Sequence, residues 1–120
     1  MEAVRISCRI RRYEYLKYKD EFTIRSKRDS GKETELSKII QGFGDFFFYG
    51  FANSEETKIE KWTIINLNRF RLYYVRSLFS GGGFGETKKN HDASSDFLVF
   101  RYDKFPSDLI FAKGDNIEKN

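Results

Sequence analysis

Apolar and polar residues alternate without a break at the start of the chain, where Val4, Ile6, Cys8 and Ile10 interleave with Arg5, Ser7, Arg9 and Arg11. A period of two is that of a strand with one buried face. Residues 4–12 are therefore predicted as a strand whose aliphatic set points inward, with Cys8 buried as a small apolar group. Residues 13–19 (YEYLKYK) are aromatic and fit either a short helix or a continuing strand. Lys19-Asp20 suits a turn into a second strand over residues 21–27. Asp29-Ser30-Gly31 breaks the pattern, after which Ser30 or Thr34 caps a short amphipathic helix through Lys38, Ile39 and Ile40, ended by Gly42 and Gly44.

Residues 45–52 (DFFFYGFA) form a nearly continuous apolar run between glycines, which fits a central strand covered on both faces. A polar connection leads to a strand over residues 59–67, predicted to pair with it as a hairpin. Asn66-Leu67-Asn68 then caps a helix over residues 69–79, where Phe70, Tyr73, Tyr74 and Leu78 recur at helical spacing. Three consecutive glycines at 81–83 fit no strand or helix interior and predict a mobile loop. Residues 97–102 (FLVFRY) read as the last strand, followed by a turn at Pro106, the segment 108–112 and a polar tail.

These elements predict an α+β fold with a mixed or antiparallel central sheet of about five strands and two main helices. At 120 residues the chain suits one domain, expected over residues 1–112, with residues 113–120 as the tail. Thirteen Phe, seven Tyr and one Trp against one Pro oppose intrinsic disorder. One cysteine and one histidine exclude an internal disulfide framework and Cys- or His-rich metal chemistry. No apolar run approaches the roughly 18 residues of a membrane span, and MEAVRISCRIRR is too charged for a signal peptide. The expectation is a soluble, cytoplasmic protein without a membrane partner.

Charge sharpens the picture. The first 28 residues hold nine Lys/Arg against four acids, the remainder thirteen against fourteen, so the net charge of +4 is all N-terminal. Arg5, Arg9, Arg11, Arg12, Arg25, Lys27 and Arg28 are the candidate nucleic-acid contacts, expected to gather on one surface and hold phosphates. The competing reading is that the alternating arginines are only the solvated face of half-buried strands. Tyr13, Tyr15 and Tyr18, interleaved with Lys17 and Lys19, either stack bases or pack the core. The turn at Asp29-Ser30-Gly31 with Lys32, Glu33 and Glu35 fits capping chemistry or a carboxylate cluster around a cation. Asp45 either ligates a metal or accepts backbone hydrogen bonds from the Gly42–Gly44 turn. His91 reads as an inert surface side chain. The glycine loop lacks the Gly-Lys-Ser/Thr ending of a phosphate loop.

The run FTIRSKRDSGKETELSKIIQGFGDFFFYGFA, followed by IEKWTIINLNRFR and later by NHDASSDFLVF and FP, resembles small uncharacterised phage and bacterial proteins related to the restriction-endonuclease-like PD-(D/E)xK nucleases. The resemblance covers most of the chain through loose motifs. It implies a carboxylate-bound Mg2+ or Mn2+ that activates water against a phosphodiester, with a lysine stabilising developing charge. Carried onto this chain, Ser7 stands where the acid or Gln belongs and Arg9 where the Lys belongs. A shift onto Arg25-Ser26-Lys27 keeps the lysine and still lacks the acid. Met1 falls almost at the start of the first strand, so the family's preceding helix and Asp-bearing strand have no residues here, as in a truncated core or a shifted alignment. The implied catalytic set is Arg9, Lys27, Glu35 and Asp45, with Glu35 and Asp45 as metal ligands. The leading expectation is a nuclease-like nucleic-acid-binding module with weak or lost phosphodiesterase activity. The alternatives are an active metal-dependent endonuclease and a phage or mobile-element module that binds a protein partner or a second copy of itself through exposed aromatics.

Overall fold

In the computed structural model, residues 3–28, 34–81, 85–89 and 95–115 are described. Seven strands form two sheets. Strands β1 (Ile6–Arg11), β3 (Phe46–Ala52), β4 (Ile59–Asn66) and β7 (Ile110–Asp115) make a mixed four-stranded sheet in the order β1-β3-β4-β7, with β1 parallel to β3 and the other pairs antiparallel. Strands β2 (Glu21–Arg28), β5 (Glu86–Lys89) and β6 (Ser95–Arg101) make an antiparallel sheet in the order β2-β6-β5. With helices α1 (Glu35–Ile40) and α2 (Leu67–Phe79), the class is α+β as expected, but the central sheet has four strands and a second sheet stands beside it.

The helix starts follow the capping chemistry in the sequence. Thr34 Oγ1 accepts from the Ser37 N–H at 3.2 Å while Ser37 Oγ accepts from the Thr34 N–H at 3.1 Å, a reciprocal cap on α1. Asn66 Oδ1 accepts from the N–H groups of Asn68 and Arg69 at 3.0 and 3.2 Å and so starts α2. The ambiguous YEYLKY segment is a 3-10 helix, Tyr13–Tyr18. Arg71 of α2 reaches back to the carbonyls of Ile39, Phe43 and Gly44 at 2.5, 2.8 and 2.5 Å, and thereby fixes the turn between α1 and β3.

Both sheets and α2 share one core. Phe22 of β2 is fully buried, with ring centroids 5.3 Å from Phe100, 5.0 Å from Tyr102 and 6.0 Å from both Phe70 and Phe105. From the larger sheet, Phe47, Tyr49, Phe51 and Ile65 point into the same cluster. Period-two alternation accounts for these faces.

Three expectations are corrected. The alternation in β1 is real but reversed: Val4, Ile6, Cys8 and Ile10 are exposed, whereas Arg9 and Arg11 are half-buried. This strand is a sheet edge, and acceptors on other elements satisfy its guanidiniums, so nothing forces its aliphatic side into the core. Strand β3 is central but its two faces differ: Phe47, Tyr49 and Phe51 are buried in the core, whereas Phe46 and Phe48 on the other face are only half-buried. Residues 97–102 do not end the sheet, because β7 runs through Asp115, three residues into the segment read as tail. No helix among the described residues is long and apolar enough to cross a membrane.

Candidate functional site

The edges β1 and β2 face one another across the gap between the two sheets, and arginines bridge it. Arg9 Nη1 donates to the Thr23 carbonyl at 3.1 Å, and its Nη2 lies 2.8 Å from each oxygen of Glu35. Glu35 Oε1 also accepts the Arg25 N–H at 2.9 Å. Two strands are thus tied to the first turn of α1 through one carboxylate. Arg11 Nη1 donates to Tyr49 OH at 2.9 Å and to Thr23 Oγ1 at 3.3 Å, while its guanidinium lies 4.3 Å from the Tyr15 ring centroid. That stack orients the planar group and leaves other N–H donors of Arg11 for a ligand.

Beside these residues the surface is concave. One hollow of about 440 Å³ lies among Arg5, Arg9, Arg25, Lys38 and Phe43. It shares Arg9 and Arg25 with a hollow of about 200 Å³ that reaches Arg11, Thr23 and Phe97. The second shares Arg11, Thr23 and Phe97 with a third of about 210 Å³, lined further by Tyr15, Tyr18, Glu21 and Lys88. Together they form a groove with cations along its length, aromatic faces beside them, and the acids Glu35 and Glu21.

The expected contacts divide. Arg5, Arg9, Arg11 and Arg25 converge on the groove. Arg12 does not line it; its exposed guanidinium pairs with Glu56 at 3.2 Å, which raises the Arg12 pKa above its ordinary value. The side chains of Lys27 and Arg28 lie outside the described residues, as do the turn at 29–33, the glycines at 82–83 and His91. Arg9 is neutralised by Glu35, whereas Arg11 and Arg25 have no ion pair among the described residues.

Of the implied catalytic set, Arg9 and Glu35 come together and Asp45 goes elsewhere. Asp45 Oδ2 accepts the Arg5 N–H at 2.8 Å, and its own N–H donates back to the Arg5 carbonyl at 2.8 Å, so this carboxylate locks the entry to β1. It does not line the groove. Among the described residues no three of His, Cys, Asp and Glu converge.

Sequence reasoning did not single out Thr23, Lys38, Tyr49, Lys88 and Phe97. Only Tyr15 and Tyr18 had a signal, their spacing among basic residues. Thr23 and Arg25 share one face of β2 because Phe22 and Ile24 take the core side, and Phe97 pairs with Arg25 across the sheet.

No protein-family model matches the chain, and no curated protein and no solved structure matches it.

Proposed function

We propose that the groove binds single-stranded nucleic acid through its phosphates, on a nuclease-like frame whose cleavage activity is weak or lost. The supporting observation is the convergence of Arg11 and Arg25, neither ion-paired among the described residues, on one groove that also presents Tyr15, Tyr18 and Phe97. A basic channel with aromatic faces suits a strand whose bases are free to stack and whose phosphates track the cations. Loss of catalysis is supported by the state of the carboxylates. Both Glu35 oxygens face Arg9, and Asp45 holds the Arg5 amide, so a divalent cation would have to displace existing partners before activating water. The exposed Cys8 is compatible with the reducing cytoplasm.

The test is fluorescence anisotropy with a labelled oligonucleotide, single-stranded and duplex, at low and moderate salt. With about four cations engaged, the slope of log K against log salt is about −3 for a single strand, so a fourfold rise in salt weakens binding roughly 50-fold. Arg11→Gln with Arg25→Gln should flatten that slope by about 1.4. Absence of binding at low salt, or full affinity in the double variant, overturns the reading. A plasmid-nicking assay with Mg2+ or Mn2+ is expected to give no cleavage dependent on Glu35 or Asp45.

A further inference from the structure

The groove uses one side of the larger sheet's edge, and the opposite side of that sheet carries half-buried and exposed apolar side chains. The pairing register places Cys8 beside Phe48 and Ile64, and Ile10 beside Gly50 and Trp62. Side chains lean over the two glycines on this face. A Cβ on Gly50 would stand 3.2 Å from Ile10 Cδ1, and one on Gly114 would stand 2.8 Å from the Trp62 ring. Trp62 in turn stacks on Phe48 at 5.7 Å, and the register shift in β7 turns Phe111 onto Phe46, ring centroids 4.8 Å apart. The result is a continuous aliphatic and aromatic face on which Ile6 is 59%, Ile10 42% and Phe111 64% exposed.

We infer that this face is the contact between two copies of the chain, packed sheet on sheet. Four strands at ~4.8 Å spacing over six residues at ~3.3 Å rise give a footprint of about 400 Å². Side chains standing on it raise the accessible area to on the order of 600 Å², the upper end for the largest apolar patch of an ordinary monomer. Two copies stacked through it remove on the order of 1,200 Å², enough for a specific interface at the low end of the stable range. Charge decides the occupant. The two paired rows on this side, Cys8–Phe48–Ile64–Ala112 and Ile10–Gly50–Trp62–Gly114, hold no charged residue, so the centre of the face offers a charged peptide or nucleic acid nothing to pair with. An isologous pair needs only a self-complementary surface, and an uncharged apolar sheet supplies one. The inference is independent of what the groove binds.

Sedimentation velocity on the full chain, from low to high micromolar concentration and at low and high salt, tests it. A monomer–dimer equilibrium in the micromolar range is expected, undiminished by salt because the contact is apolar. Alkylation of Cys8, exposed on this face, should slow as the dimer forms. Ile10→Thr with Phe111→Ser should shift the equilibrium at least tenfold toward monomer while the circular dichroism spectrum remains that of the native chain. Phe79→Ser, on the exposed end of α2, should leave it unchanged. A monomer at every concentration, a dimer that salt dissolves, or a dimer that survives the double variant would each overturn the inference.

Discussion

Glu35→Gln separates binding from catalysis, because the two readings give opposite signs. As a metal ligand, Glu35 would be essential and its loss would abolish activity. As the internal counter-ion of Arg9, it competes with phosphate for that guanidinium, and its neutralisation should strengthen binding. The structure sets the size of the effect. The Arg9 and Glu35 side chains are 27% and 25% exposed, an environment between bulk water and the interior. A phosphate ~7 Å from the carboxylate is repelled by about 0.6 kcal/mol at the dielectric of water and by about 2.4 kcal/mol at an effective value of 20. Removing that charge therefore tightens binding by about 3- to 50-fold at low salt and steepens the salt slope by about 0.7, since one more cation is released to the ligand. Gln retains an oxygen for the Arg25 N–H, so the cost to folding is that of weakening charge-assisted bonds to Arg9, about 1–2 kcal/mol. Anisotropy titrations at two salt concentrations, with a thermal melt to verify folding, measure both terms. A folded Glu35→Gln protein that binds no more tightly than wild type refutes the counter-ion role.

Arg11→Gln and Arg12→Gln remove the same net charge, but only Arg11 lines the groove; the first should lower oligonucleotide affinity about tenfold and the second by less than twofold, and equal losses would mean that binding follows net charge alone. Gly85→Ala places a Cβ 2.8 Å from Cε1 of the fully buried Phe100, whose ring cannot swing aside, so urea unfolding should report a loss of about 1–3 kcal/mol. Burial pushes the Tyr102 hydroxyl above its ordinary value of 10.0, so its contribution to stability is complete below pH ~10 and declines as pH rises beyond it, by up to ~1.4 kcal/mol per pH unit. Tyr102→Phe should flatten that alkaline decline in pH-dependent melts, and an unaltered slope would show that other groups control it.

Much of the frame was legible because its signals are local. DFFFYGFA and the alternation beyond it specify β3 and β4, since burying Phe47, Tyr49, Phe51 and Ile65 leaves each strand only one register. The caps at Thr34 and Asn66 are spelled out by side chains that accept hydrogen bonds two or three residues downstream. The strands that escaped notice are those without a buried face to announce them. β5 is the four polar residues ETKK, and β7 runs as IFAKGD with a glycine where Trp62 lies across it. Both are edge strands, held by ladder hydrogen bonds that any sequence can make, so composition carries little trace of them.

The groove was half legible for a related reason. Counting arginines located the charge, but alternation reports only that the two sides of β1 differ and not which side meets the molecule. That choice is made by partners far away in sequence: Glu35 lies 26 residues from Arg9, Thr23 lies 12 from Arg11, and Tyr49 lies 38 from Arg11. Once those acceptors are in place, half-burying a guanidinium costs little, because its donors are met by a carboxylate, a hydroxyl and a phenol instead of water. The aliphatic side is then left outward by default. One strand therefore presents two unlike surfaces, arginines toward the gap between the sheets and Cys8 and Ile10 away from it, while Ile6 at its start also borders the first hollow. A ligand attracted by charge and a partner attracted by apolar area would meet opposite sides of β1, and neither needs to displace the other.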